Sequence, residues 1–319
     1  MPETATASQE GSPAPKTPMP ATGVLASLHL AALDIKLAHS VFALPFALLA
    51  SFLAKSAEES WLSFAGKLVL IVGCMVTART WAMLFNRLAD RKIDARNPRT
   101  ARRAVASGAL GVKSAWLIAL GSGLIFVLLA SGFWFFWGNA WPPLMALPVL
   151  GWIAFYSLTK RFTWLCHLFL GGALAASPLA AALAIEPTCL SESWPYLFAG
   201  MVLCWVAGFD MIYALQDVAI DQRERLHSAP SRLGIGPALW CSRVLHFIAI
   251  ACLIAVGLTL PQLAWLYWLA VAVTAGLLLI EHVLIARSAE KHLDMAFFTL
   301  NGVVSCLLGA AVILDVTFL

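Results

Sequence analysis

The sequence predicts an all-α integral membrane protein with nine transmembrane helices. Three observations carry this. Of the 319 residues, 61% are hydrophobic and only 12% are charged, whereas a soluble domain is about one-quarter charged. The charges are bunched between apolar runs long enough to cross a bilayer, where helices satisfy their own backbone groups. The loops between these runs alternate between strongly basic and nearly neutral, the pattern of the positive-inside rule. The net charge of +4 follows that alternation, so it points to topology and not to a nucleic-acid partner.

Residues 1–20 are rich in Ala, Pro, Thr and Ser and lack an apolar period, which predicts a disordered tail. They have no basic start leading into a short apolar core, so they do not read as a secretory signal. Residues 21–319 form one membrane domain. Its spans are 31–53, 65–88, 114–136, 141–158, 163–185, 195–216, 237–259, 262–286 and 296–318. Pro45 is expected to kink the first span, and Pro148 and Pro178 the fourth and fifth. Gly171, Gly172 and the Ala-rich stretch after them suit close helix approach. Trp61, Trp141, Trp194 and Trp265 stand near span ends, as interfacial anchors do. The seven cysteines show no metal-ligand spacing and read as packing residues.

The loop after span two holds Arg87, Arg91, Lys92, Arg96, Arg99, Arg102, Arg103 and Lys113. Lys160 and Arg161 follow span four; Arg223, Arg225, Arg232 and Arg243 follow span six; Arg287 and Lys291 follow span eight. The opposite loops carry only Lys55 and Lys67. The N-terminus and the even-numbered loops are therefore expected in the cytoplasm and the C-terminus outside.

One stretch stands out: RTWAMLFNRLADRKIDARNPRTARR, residues 79–103. On a helix at about 100° per residue, Arg79, Asn86, Asp90 and Asp94 fall within one stripe. An amide and two carboxylates one turn apart make a row of hard oxygen ligands, which Mg²⁺ prefers and shares with water and a substrate phosphate. The arginines beyond, among them Arg99 and Arg103, suit phosphate oxygens. A second ladder, Asp210, Asp217 and Asp221, repeats the spacing of Arg79, Asn86 and Asp90, shifted by 131 positions. A basic loop alone is usually a solvated loop; two acidic ladders at one depth suggest a site shared by two helices.

Arg79 and Asp210 lie deepest, about 10 Å below the first rungs. A charge there is costly and tends to be functional. They are expected to face each other, as an ion pair or as substrate contacts. Glu281 and Asn301 read as packing or interfacial groups. The loop DQRERLHSAPSRLG, residues 221–234, brings Arg232 and other polar groups toward the same face, and Lys160 and Arg161 join them. Loops 95–113 and 222–236 read as a cap that closes over a charged head. Magnesium-type acids, phosphate-type bases and an apolar interior together suit a polyprenyl diphosphate, its head at the cytoplasmic mouth and its tail in the bundle.

These motifs resemble the UbiA superfamily of intramembrane prenyltransferases. Asn86-x-x-x-Asp90-x-x-x-Asp94 followed by Arg99-Thr100-x-x-Arg103 is similar to the first family motif. Asp210, Asp217 and Asp221 are similar to the second, and Tyr156-Ser-Leu-Thr-Lys160-Arg161 to the fourth-helix signature. The resemblance implies nine helices around a central cavity, Mg²⁺ dependence and prenylation of an acceptor. Within the superfamily the chain looks most like the 4-hydroxybenzoate polyprenyltransferases. Residues 226–234, LHSAPSRLG, are closer to relatives of the futalosine route to menaquinone. The implied reaction joins a polyprenyl group to an aromatic carboxylic acid for ubiquinone or menaquinone synthesis, in the cytoplasmic (inner) membrane. Asp90, Asp94, Asp217 and Asp221 would hold the metal. Asn86, Arg99, Arg103, Lys160, Arg161 and Arg232 would hold the diphosphate. Arg79, Asp210 and Tyr156 would line the reaction centre. The rival readings are prenyl transfer to haem or chlorophyllide, and a cation transporter with paired acidic helices.

Overall fold

The computed structural model describes residues 23–35 and 42–319; the tail expected over 1–20 lies outside them. Helix is the only regular secondary structure among the described residues. Their helices are α1 (Val24–Ile35), α2 (Leu44–Ala54), α3 (Trp61–Arg96), α4 (Val112–Trp137), α5 (Trp141–Thr159) and α6 (Cys166–Ile185). They continue with α7 (Trp194–Tyr213), α8 (Val218–Arg223), α9 (Ala229–Leu233), α10 (Ile235–Thr259), α11 (Trp265–Asp294) and α12 (Asn301–Phe318). Among the described residues, eight helical runs are long and apolar enough to cross a membrane. The first expected span, 31–53, is instead divided between the end of α1 and the shorter α2.

Local chemistry explains the boundaries. Pro45 does not kink a helix; it occupies the first turn of α2, where no N–H partner is needed. Ser60 caps α3 by accepting from the Ser63 N–H at 3.2 Å. Gly138 ends α4 at φ 71°, a left-handed conformation that glycine adopts without a Cβ clash. The second ladder is not on one regular helix: a tighter 3₁₀ turn, Ala214–Asp217, separates α7 from α8.

The bundle has two parts. The main cluster of buried side chains joins α2, α6, α7, α10, α11 and α12, with Phe64 and Ile71 of α3 and Phe133 of α4 at its edge. A smaller one joins α1, α3, α4 and residues 104–110. Helix α7 is buried between α6 and α10, and small residues permit this. A Cβ on Gly171 of α6 would meet the Leu203 carbonyl oxygen of α7 at 2.3 Å. A Cβ on Gly208 of α7 would meet the His246 ring of α10 at 2.3 Å. The outer surface is apolar, with Leu117, Leu144 and Phe247 exposed, as a lipid-facing surface requires. Trp61, Trp141 and Trp265 are exposed at helix starts. Trp194 is not an interfacial anchor; it is buried and packs edge-on against Phe198.

Glu281 and Asn301 are not interfacial either. Both are fully buried in a polar chain linking α7, α11 and α12. The Trp205 indole N–H donates to Asn301 Oδ1 at 2.6 Å, and Asn301 Nδ2 donates to Glu281 Oε1 at 3.1 Å. Pairing satisfies polar groups that hydrocarbon would otherwise penalise.

Candidate active site

A cavity of about 1010 Å³ opens between α3–α5 and the packed block. Its two ends differ in chemistry. One end is polar, lined by Asp34, Arg79, Asn86, Arg87, Arg99, Arg102, Arg103, Tyr156, Asp210 and Gln216. The other is apolar, reaching Ile71, Pro142, Met145, Leu183 and Ala184. From Leu170 to Ala184 along α6 it runs roughly 20 Å, at about 1.5 Å per residue. One end of this space is suited to charged groups and the other to hydrocarbon.

The loops that close the polar end are tied to one another. Arg99 forms an ion pair with Asp217, and its Nε donates to Asp217 Oδ1 at 3.1 Å. Asn97 Nδ2 donates to the same oxygen at 3.0 Å. Burial alone would lower the Arg99 pKa, but the Asp217 carboxylate outweighs it and raises the pKa above the ordinary value. Arg96 pairs with Glu224 at 2.9 Å, and Arg223 donates to the Arg96 carbonyl at 2.9 Å. The His227 N–H donates to the Lys160 carbonyl at 2.7 Å. Segments 97–103, 160–163 and 222–228 thus meet at one end of the bundle.

The four expected metal carboxylates do not converge. Asp90 is bound by Lys160 and by Arg161, the latter at 2.8 Å. Asp94 pairs with Arg103 at 2.8 Å. Asp217 holds Arg99, and Asp221 accepts from Ser228 Oγ at 2.5 Å. Asp90, Asp94 and Asp221 are buried outside the cavity lining. Among the described residues no three acids, histidines or cysteines stand close enough to hold one cation. The donor chemistry still fits a hard divalent ion, and Asp94 Oδ2 is buried without a hydrogen-bond partner.

The reaction-centre residues gather only in part. Arg79, Tyr156 and Asp210 all line the cavity, as does Asn86. Arg79 and Asp210 are not an ion pair. Asp210 instead binds His167 Nδ1 at 2.6 Å, while Arg79 Nε is buried without a hydrogen-bond partner among the described residues. Lys160 and Arg161 reach Asp90, beside the cavity. Arg232 is exposed on α9 and does not line the cavity, because the short helix turns it outward.

Several contributors escaped the sequence reading. His167 lies one residue into α6 in an apolar run, with nothing nearby to distinguish it from a packing residue. Asp34 accepts from the Ala104 N–H at 3.1 Å and stands 3.5 Å from Arg87, bringing α1 to the mouth. Arg87, which lines the cavity, was visible only as a topology charge, whereas Arg102 belongs to the arginines that read as suited to phosphate. Ser228 in the HSAP turn reads in the sequence as a phosphate contact, and its partner in the structure is Asp221.

Known proteins share this design. The model of the UbiA prenyltransferase family matches residues 43–303. A 4-hydroxybenzoate octaprenyltransferase of Nitrosomonas europaea is 28% identical over 254 residues, 79% of this chain and 82% of its own. A 4-hydroxybenzoate solanesyltransferase of Synechocystis is 29% identical over 248 residues, 76% of this chain and 77% of its own. The structure of a UbiA homolog from Aeropyrum pernix superposes with a TM-score of 0.76 at 30% identity, covering 87% of this chain and 98% of that one. A UbiA homolog from Archaeoglobus fulgidus, solved with GPP and Mg²⁺, shares the fold with a TM-score of 0.70 at 16% identity, over 90% of this chain and 99% of that one. With most of its length matched in sequence and in fold, the chain belongs to the UbiA prenyltransferase family and is a membrane prenyltransferase.

Proposed function

We propose that the protein transfers a polyprenyl group from its diphosphate to an aromatic carboxylic acid, 4-hydroxybenzoate or a similar acid, in quinone synthesis. One observation carries this: a single cavity joins a guanidinium-rich mouth to a hydrocarbon-lined depth. The named relatives act on 4-hydroxybenzoate, which supports an aromatic acid as acceptor. The positive-inside pattern supports a cytoplasmic mouth and N-terminus in a cytoplasmic membrane, with residues 21–319 as the working domain.

In this reading Arg99, Arg103, Lys160 and Arg161 take the diphosphate oxygens, and Asn86 lies beside them. Their charge stabilises the leaving diphosphate as the donor C–O bond breaks. Asp90, Asp94, Asp217 and Asp221 would hold Mg²⁺, which supplies further charge to that leaving group. Each acid now has a basic or hydroxyl partner, so donor binding exchanges partners: acids toward the metal, bases toward the phosphate. Arg232 belongs to this set only if α9 turns inward. The prenyl C1 then bonds to a ring carbon activated by the phenol, and the ring proton leaves. Arg79, with no carboxylate partner among the described residues, suits the acceptor carboxylate; Tyr156 and Asp210 line the same cavity. The apolar walls keep water from the cation.

The test is product analysis. Membranes holding the protein are offered several aromatic acids with one prenyl diphosphate, with Mg²⁺ and with chelator. Mass spectrometry should find a prenylated acid only with Mg²⁺. Free diphosphate release without any prenylated acid would overturn the acceptor assignment.

A further inference from the structure

His167 touches both the Asp210 carboxylate and the loop beneath the second ladder. It is 2% exposed, at the start of α6. Its Nδ1 lies 2.6 Å from Asp210 Oδ2, and its Nε2 accepts from the Ala229 N–H at 3.1 Å. A backbone N–H can only donate, so Nε2 carries a lone pair. The ring proton therefore sits on Nδ1 and is donated to Asp210. Asp210 faces the cavity with its side chain 24% exposed, and its second oxygen has no hydrogen bond among the described residues. Ala229 is fully buried and follows Ser228, whose hydroxyl holds Asp221. The ring is thus fixed from behind by the loop that carries the partner of a ladder acid.

We propose that His167 is a positioning residue for prenyl transfer. It holds the Asp210 carboxylate in one orientation, with the second oxygen presented to the aromatic acceptor. Through Ala229 and Ser228 it also keys that orientation to Asp221, so the acceptor side is set by the loop of the donor side. Asp210 rotates about two side-chain bonds; without a donor behind it, its free oxygen samples several directions. This inference rests on the reading that Asp210 lines the acceptor site.

Steady-state kinetics on the full chain in lipid, with geranyl diphosphate and 4-hydroxybenzoate as probes, test it. Gln at 167 offers an amide donor and a carbonyl acceptor for the two partners; Leu and Met offer no N–H to Asp210. His167→Leu should lower kcat/KM for 4-hydroxybenzoate by roughly tenfold to a hundredfold, the worth of one charge-assisted hydrogen bond. The KM for geranyl diphosphate should stay within about twofold, and His167→Gln should recover most of the loss. His167→Met replaces the Leu variant if that chain does not fold, with the same expected split. Parallel loss for both substrates, or Gln as poor as Leu, would mark His167 as structural and overturn the proposal. Full activity in His167→Leu would do the same. Asp210→Asn separates the two layers: if it leaves the 4-hydroxybenzoate kinetics unchanged, the reading of Asp210 fails first.

Discussion

Asn97 and Asp217, 120 positions apart in the chain, share a hydrogen bond of 3.0 Å. Through it the loop that ends the first ladder is fastened to the second. Asn97 also accepts the Arg99 N–H at 3.0 Å, which fixes the turn that aims Arg99 at the same carboxylate. The mouth is therefore closed by side chains of the motifs themselves.

Asp217→Asn should reduce turnover on the order of 100-fold, since it removes the Arg99 ion pair and, under the proposed function, a hard oxygen ligand. Asn97→Ala should cost less, about tenfold, through one charge-assisted hydrogen bond. Initial rates with geranyl diphosphate at limiting Mg²⁺ measure both. A wild-type rate in Asp217→Asn would remove Asp217 from the donor site.

Asp90→Asn should nearly abolish turnover and leave the fold intact. Its partners Lys160 and Arg161 are about one-third exposed, at 30% and 32%, so water screens the orphaned charges. The stability loss should be about 1 kcal/mol, whereas the rate loss should exceed about 100-fold. Thermal unfolding in detergent beside the turnover assay distinguishes the two. Aggregation with no folded fraction would mean that Asp90 is structural.

Arg79→Lys should raise the acceptor KM by about tenfold and the donor KM far less, because an ammonium does not reproduce the fork of a guanidinium. The charge swap Arg79→Asp with Asp210→Arg should be inactive, since Asp210 is paired with His167 and not with Arg79. Recovery of activity in the swap would restore a direct Arg79–Asp210 pair.

Gly171→Ala should lower the melting temperature by several degrees. The new methyl would stand 2.3 Å from the Leu203 carbonyl oxygen, which belongs to a packed backbone and cannot yield cheaply. The expected cost is about 1–3 kcal/mol. An unchanged melting temperature would show that α6 and α7 can separate.

Ala181→Phe should shorten the prenyl chain that the protein accepts. Ala181 lines the apolar depth and is 3% exposed, so a benzyl group there fills space that the tail needs. Competition between short and long prenyl diphosphates, read by mass spectrometry of products, should shift toward the short ones. An unaltered product distribution would place the tail elsewhere.

The class and the motif positions were legible in the sequence because they rest on local rules. Apolar run length set the spans, and four-residue spacing set the first ladder on α3. What the sequence did not give depends on which loops meet. Asp90 choosing Lys160 and Arg161, or Asp221 choosing Ser228, follows from tertiary approach over many residues. The expected Arg79–Asp210 pair assumed two equivalent helices. The 3₁₀ turn Ala214–Asp217 breaks that equivalence, since it turns about every three residues. His167, in an apolar run, met Asp210 first. Pro45 was misread because a helix-starting proline and a helix-kinking one look alike until the helix boundary is known.

The paired acids and bases of the mouth carry a thermodynamic consequence. Asp90 and Asp94 have already lost most of their water to Arg161, Lys160 and Arg103. Folding, and not substrate capture, met that dehydration cost. Under the proposed function, a donor arriving with its own cation and anion would replace internal counterions by external ones, with little change in the number of buried charges. Binding of this kind is a metathesis of ion pairs. Its free energy should vary only weakly with ionic strength, in contrast to a bare basic patch, whose hold on a diphosphate fades as salt is added.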